Sequence, residues 1–319
     1  MKFWLAKPHQ TEQQFLLWGR EYPELVELDS VAQYVGLKAY SITVTDKSTP
    51  ADRKSKLIFA VPHAHEPAGT VGCMEYLNQL LTGKYFDGTP SDLDRERALA
   101  SCVLSFIPDA NPDGRARAPV DYWDGTEYTN EEFWTFMRGC DPETKKMWKR
   151  LGRWSLQEEN PETIGIVYEQ INAHEYVEPN RDLSSSYFRL IQRVSERYGY
   201  GRWLDIHQTE FERSSHNCMI LLPLVQNELP QEIQQVNVAW AEAIVEAWAV
   251  IGANPIRPSK PLGYTGEQAE YFRRVWREFM PMIPQLTTEV QNNNTRTSPS
   301  LQAKLQEIAI RVSVDLVDA

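Results

Sequence analysis

The chain lacks any apolar run long enough to span a bilayer, and residues 1–14 hold no apolar core of signal-peptide length. A soluble, cytoplasmic protein is therefore expected. Cysteine is scarce: Cys73, Cys102, Cys140 and Cys218 are scattered, with no CxxC spacing. That argues against a disulfide framework or a thiolate zinc site and fits reduced, mostly buried thiols. Basic residues are in deficit, 33 Lys+Arg against 44 Asp+Glu, for a net charge of −11. Neither a nucleic-acid nor an anionic-membrane partner is expected of such a chain. Internal repeats and low-complexity linkers are also missing. With 319 residues, 42% of them hydrophobic, the chain can bury a large core, and one domain over 1–319 is the expectation.

What is present is an alternation of strand and helix signals. Tyr40 to Asp46 alternates with β-branched residues, and Leu57–Val61 and Ser101–Ile107 are continuous apolar runs of buried-strand length. Trp203–His207, Met219–Leu224 and Leu286–Val290 are further strand candidates. Helices are expected from about Thr11, over Ala68–Thr82 with Gly83 as its cap, and after the Thr129–Glu132 capping box. Further helices are expected over Ser184–Tyr198 and Gln231–Val250, and after Ser298-Pro299. The alternation predicts an α/β fold, a sheet covered by helices on both faces.

Histidine is the other scarce residue, with six in the chain, and two of them fall in one short stretch. The run Leu57–Val61 stops at Pro62; His63, His65 and Glu66 follow, and Pro67 opens a helix. Two imidazoles and a carboxylate at a strand end are poor core material and good metal ligands. A helix start also favours a carboxylate electrostatically. HxxE alone is a short pattern that arises by chance, and a zinc site that does chemistry needs a third protein ligand. His207, ending the strand Trp203-Leu-Asp-Ile-His207, shares a face with Trp203 and Asp205. His216, in a polar loop, is the weaker candidate.

Taken in order, His63-Ala-His-Glu66, Asn111-Pro-Asp-Gly114, Asn180-Arg181, His207 and Glu289 resemble the M14 zinc carboxypeptidases over nearly the whole chain. The resemblance implies a three-layer α/β/α fold with a mixed, mostly eight-stranded sheet. It also implies one Zn2+ per chain on His63, Glu66 and His207, with Glu289 as general base. Asn180 and Arg181 would bind a substrate's terminal carboxylate, a task suited to a guanidinium fork. Tyr264 would close over the substrate, with Tyr271 as competitor.

Two departures stand out. Where the family usually has Asp, two residues before its Asn-Arg pair, this chain has Glu178, expected to accept the free N–H of His63. The oxyanion-stabilising arginine is expected at Arg117, with Arg115 and Arg138 as alternatives. His65 falls where the family often has Arg, which points to a substrate-side or supporting role. Residues 115–176 and the loop after His207 read as insertions that shape the cleft. The reading is a zinc metallocarboxypeptidase acting on a peptide or small amide. The alternatives are an N-acyl amino acid deacylase of the aspartoacylase and succinylglutamate desuccinylase type, and a non-catalytic zinc-binding recognition protein. Side-chain preference and oligomeric state are not legible.

Overall fold

The computed structural model describes residues 4–278 and 282–317. Its centre is a mixed sheet of eight strands. They are β1 (Val26–Ala32), β2 (Lys38–Val44), β3 (Ser55–Ala60), β4 (Cys102–Ile107), β5 (Arg202–Thr209), β6 (Cys218–Leu222), β7 (Lys260–Pro261) and β8 (Gln285–Gln291). The spatial order is β1-β2-β4-β3-β5-β8-β6-β7. The four inner strands β4, β3, β5 and β8 run parallel to one another, and antiparallel β2 and β6 flank them.

Parallel strands buried on both faces read as continuous apolar runs, and β3 shows why. Leu57, Phe59 and Val61 pack into one core; Ile58 and Ala60 pack into the other. The first core is covered by α1 (Pro8–Glu21), α2 (Pro67–Thr82), α7 (Gln231–Val250) and α9 (Pro299–Asp315), numbered with the shorter helices counted. Over the second face lie α6 (Ser186–Tyr198) and α8 (Gly266–Glu278). The remaining helices are α3 (Arg95–Ser101), α4 (Pro112–Arg117) and α5 (Asn130–Arg138). Layering and sheet thus match the expected zinc carboxypeptidase-like α/β/α fold.

Local signals set the helix ends. Gly83 caps α2 at φ 72°, a left-handed conformation that glycine adopts without a Cβ clash. Thr129 and Glu132 form the expected capping box on α5. The Asn111-Pro-Asp-Gly114 turn opens α4, with Asn111 Oδ1 accepting from Gly114 N at 3.1 Å. A Cβ at Gly114 would sit 1.9 Å from Ile166 O and 2.8 Å from Ala64 Cβ, so only glycine fits there. That contact presses residues 164–167 against the His63–Glu66 loop.

Residues 115–176 form two small sheets with their own apolar clusters around Trp123 and Phe133 and around Trp148, Trp154 and Tyr168. This segment lies beside the C-terminal ends of β3 and β5, where sites in open α/β sheets gather.

Candidate metal centre and cleft

Past β3 the chain turns at Val61-Pro62, and Pro67 starts α2 with Glu66 at its N-cap. The loop between is clamped from below: Val61 N donates to Ile107 O and Ala110 N donates to Val61 O. Arg115, buried, donates to Ala64 O at 3.2 Å. His63 and Glu66 are thereby fixed with exposures of 5% and 2%. His207 arrives from β5, on the same face as Asp205 and opposite Leu204 and Ile206, which enter the first core.

The three side chains converge on one oxygen. Glu66 Oε1 lies 3.1 Å from His63 Nδ1 and 3.2 Å from His207 Nδ1. The second nitrogen of each ring is held from behind: His63 Nε2 is 3.1 Å from both Glu178 Oε1 and Asn180 Oδ1, and His207 Nε2 is 2.9 Å from Asp205 Oδ2. A carboxylate accepting the Nε2 proton leaves the Nδ1 lone pairs facing inward, the arrangement of orientated metal ligands. Glu66 Oε2 is buried without a partner. Two inward lone pairs, a carboxylate and an unsatisfied oxygen fit a zinc ion's nitrogen and oxygen donors.

His65 competes for the same role. His63, His65 and Glu66 offer ligand atoms within 4.8 Å of one another. His65 Nε2, however, is 3.6 Å from Glu66 Oε1, and its buried Nδ1 has no partner to set its tautomer. Its ring stacks on His63 and meets Phe133 edge-on. Distance and orientation favour His207.

Electrostatics follow the same geometry. Burial resists charging on Glu66, but the imidazoles of His207 and His63 hold its pKa far below the usual carboxylate range. Burial pushes His65 down to about 3, so its ring is neutral. Glu289 is paired with His207 across the parallel β5–β8 ladder, which sets both on one face. Burial pushes its carboxyl up to about 8, with the His207 ring opposing and the Glu66 charge adding, and its Oε2 has no partner.

These groups open onto a cleft of about 420 Å³. Its floor is the alternating row Asp205, His207 and Thr209 of β5 beside Gln285, Thr287 and Glu289 of β8. Its sides are lined by Phe133, Trp134, Met137 and Arg138 of α5, by Met147 and Arg150, and by Leu222–Val225, Leu262, Tyr264 and Phe272. The 115–176 segment and, through Thr209 and Glu210, the loop after His207 do shape the cleft.

A model of the zinc carboxypeptidase family matches residues 17–182, more than half of the chain. The chain belongs to the zinc carboxypeptidase family. Solved structures agree in fold. A metallo-carboxypeptidase from Burkholderia cenocepacia superposes with a TM-score of 0.58 at 14% identity, over 96% of this chain and 68% of that one. Carboxypeptidase A from Helicoverpa armigera gives 0.59 at 13%, over 99% and 75%. Thrombin-activatable fibrinolysis inhibitor gives 0.61 at 13%, over 98% and 74%. No curated protein matches the sequence. Membership makes the chain a zinc metallopeptidase-type hydrolase, and no helix among the described residues is long and apolar enough to cross a membrane.

Two residues expected in the site lie away from the cleft lining. Arg117 does not line the cleft. As the last residue of α4 it turns its guanidinium to the carbonyls of Ile164, Gly165 and Tyr168 and to Asp113. Arg150, from the inserted segment, lines the cleft instead, with Nε and Nη2 donating to Glu178 at 2.9 and 2.5 Å. Arg181 is also absent from the lining and fully buried. Its Nε pairs with Glu178 at 2.9 Å, its Nη2 donates to the Tyr264 hydroxyl at 3.2 Å, and Phe272 lies over it, 4.8 Å from the ring centre. Asn180 and Tyr264 do face the cleft. Glu178, wholly buried, reaches His63 as expected, the longer side chain also gathering Arg150 and Arg181. Burial opposes its charge, yet Arg150 and Arg181 hold its pKa well below normal.

Sequence reasoning missed Arg150 and Phe272. Arg150 lies far past the Asn-Pro-Asp-Gly turn, inside the irregular insertion. Its one sequence cue was density of charge and aromatics.

Proposed function

We propose that the chain is a metallocarboxypeptidase that hydrolyses the C-terminal peptide or amide bond of a small substrate, with His63, Glu66 and His207 holding one zinc ion. The observation that carries this is the His207–Glu289 register pair, which sets a buried carboxylate with a free oxygen beside the inward Nδ1 atoms. Zinc bound there would supply Lewis acidity and make water acidic near neutral pH. Glu289, which the charge of a bound metal would keep ionised against the pull of burial, takes the proton of the attacking water and hands it to the departing amine, the work of a general base and then acid. Arg150, held by Glu178, gives its remaining N–H edge to the carbonyl oxygen as negative charge builds. Removal of such a donor typically costs roughly 10²–10³ in rate. Asn180 supports the His63 tautomer from the cleft wall. Tyr264, its hydroxyl held by Arg181, meets the substrate's terminal group.

A deacylase of N-acyl amino acids on the same fold is the second reading. Arg181, covered by Tyr264 and Phe272, does not separate the two, because an N-acyl amino acid presents the same free carboxylate as a peptide C-terminus. Mass spectrometry of the zinc-loaded protein with peptides of free and amidated C-terminus and with N-acyl amino acids separates the two. Release of a single residue from free C-termini is expected. Turnover confined to the acyl amino acids would establish the deacylase.

A further inference from the structure

The cleft lining carries a cation whose nearest carboxylate, Glu178, is already shared by other groups. Arg138 is the last residue of α5 and lines the cleft with Phe133, Trp134 and Met137 from the same helix. Its Nη2 donates to Trp148 O at 2.6 Å and its buried Nε has no hydrogen-bond partner. Arg150 lines the cleft too, and its single carboxylate, Glu178, is the one shared with Arg181 and His63. Burial and the neighbouring Arg150 charge press the Arg138 pKa down, and the Tyr168 side chain and the shared Glu178 charge offset that only in part. The other acidic residues of the cleft, Glu66, Asp205, Glu210 and Glu289, belong to the metal loop and the β5–β8 floor, not to α5.

The position is also rigidly built. Gly139, just after Arg138, pairs with Ile164 in a two-stranded ladder, Ile166 N donates to Phe136 O and Val167 N to Met137 O. A Cβ on Gly165 would lie 2.3 Å from Met137 O, so the strand is pressed directly against the end of α5. A part-buried guanidinium kept beside another, with no carboxylate of its own, is costly unless an anion completes it. Guanidinium forks suit carboxylates in geometry as well as charge.

We propose that Arg138 is an anion anchor, and that the substrate carries, apart from the bond cleaved, a carboxylate or similarly charged group that seats beside α5. This deepens the reading of the cleft as a substrate site and does not depend on which amide is cut. Arg150 adds positive potential there while its carboxylate contact keeps it at the metal side. The substrate class is then acidic: a peptide with an acidic residue near the scissile bond, or a dicarboxylic acyl amide.

The test is calorimetric titration of the zinc-loaded protein with succinate, glutarate and adipate, each against its own monoamide. Both members of a pair keep one carboxylate free for the metal, so their difference isolates the second anionic group. For at least one chain length the diacid is expected to bind about tenfold more tightly than its monoamide, a difference of about 1.4 kcal/mol. Arg138→Gln should erase the difference, and Arg138→Lys should keep part of it. Equal affinities throughout the series in the unaltered protein would overturn the proposal, as would a difference that survives Arg138→Gln. If Arg138→Gln does not fold, the unaltered protein and Arg138→Lys still decide. Because no bond is cleaved, failure of the peptidase reading leaves this result interpretable, and the reverse holds too.

Discussion

Replacing Glu178 by Gln removes the one charge that His63, Arg150 and Arg181 share. Glu178 is wholly buried, the Arg181 side chain is 1% exposed and that of Arg150 is 32% exposed. The Arg150 contact is partly screened by solvent, so most of the cost falls on Arg181, left as a buried cation with Tyr264 and two aromatic faces for company. Breaking a buried pair by removing one partner costs about 3–5 kcal/mol. For a chain of this size about 2 °C of Tm per kcal/mol is appropriate, giving a fall of roughly 6–10 °C. His63 also loses the carboxylate that fixes its tautomer, and loss of such a partner weakens metal binding by about 10–100-fold. Scanning calorimetry with and without zinc, together with chelator competition for zinc affinity, reads both effects. Glu178→Asp, which keeps the charge on a shorter arm, should fall between. A Glu178→Gln protein with Tm within about 2 °C and unchanged zinc affinity would refute the shared-carboxylate argument.

Three further outcomes follow from the geometry. Glu289→Gln should lower turnover by about 10²–10⁴ while zinc content stays near one per chain, since the residue stands beside the ligands and not among them; zinc loss on elemental analysis would contradict that. Arg150→Met should lower kcat by about 10²–10³, whereas Arg117→Met should leave kcat nearly unchanged and lower stability; the reverse pattern in steady-state kinetics would restore the sequence expectation. Glu169 is buried, and burial pushes its carboxyl up to about 7 against the Ser186 amide and hydroxyl that donate to it. The folded chain then keeps a proton that the unfolded chain releases near pH 4.5. Stability from this group is full below that pH and is lost as pH rises to about 7, on the order of 3 kcal/mol. Urea unfolding from pH 4.5 to 8 should show that fall relative to Glu169→Gln, and parallel profiles would disprove it.

How far the sequence reached depended on whether the cause was local. His63 and Glu66 were legible because two prolines and a strand end bracket them, and His207 because alternation along β5 faces it away from the core. Apolar runs marked β3 and β4 because both faces are covered. Capping residues marked α2, α5 and α9. The edge strand β1 escaped, since Glu27 and Asp29 interrupt its apolar pattern as edge strands allow. Helix α8, in which Val275 is the single buried residue among those described, escaped too. The pairing of Glu289 with His207 is a register between strands some eighty residues apart in sequence, which no local pattern encodes. The direction of Arg117 was not legible for a similar reason. Its direction is set by the helical turn of α4 and by carbonyls about fifty residues downstream. The covering of Arg181 depends on Phe272, brought in by a helix that sequence reading did not find.

The central claim is the choice of ligands: His63, Glu66 and His207, with His65 outside the set. Zinc content per chain, measured side by side after dialysis on His207→Ala and His65→Ala, tests it most directly. His65→Ala is expected to keep close to one zinc and His207→Ala to keep almost none. A zinc-replete His207→Ala beside an empty His65→Ala would move the third ligand to His65 and with it the position of Glu289 in the reaction.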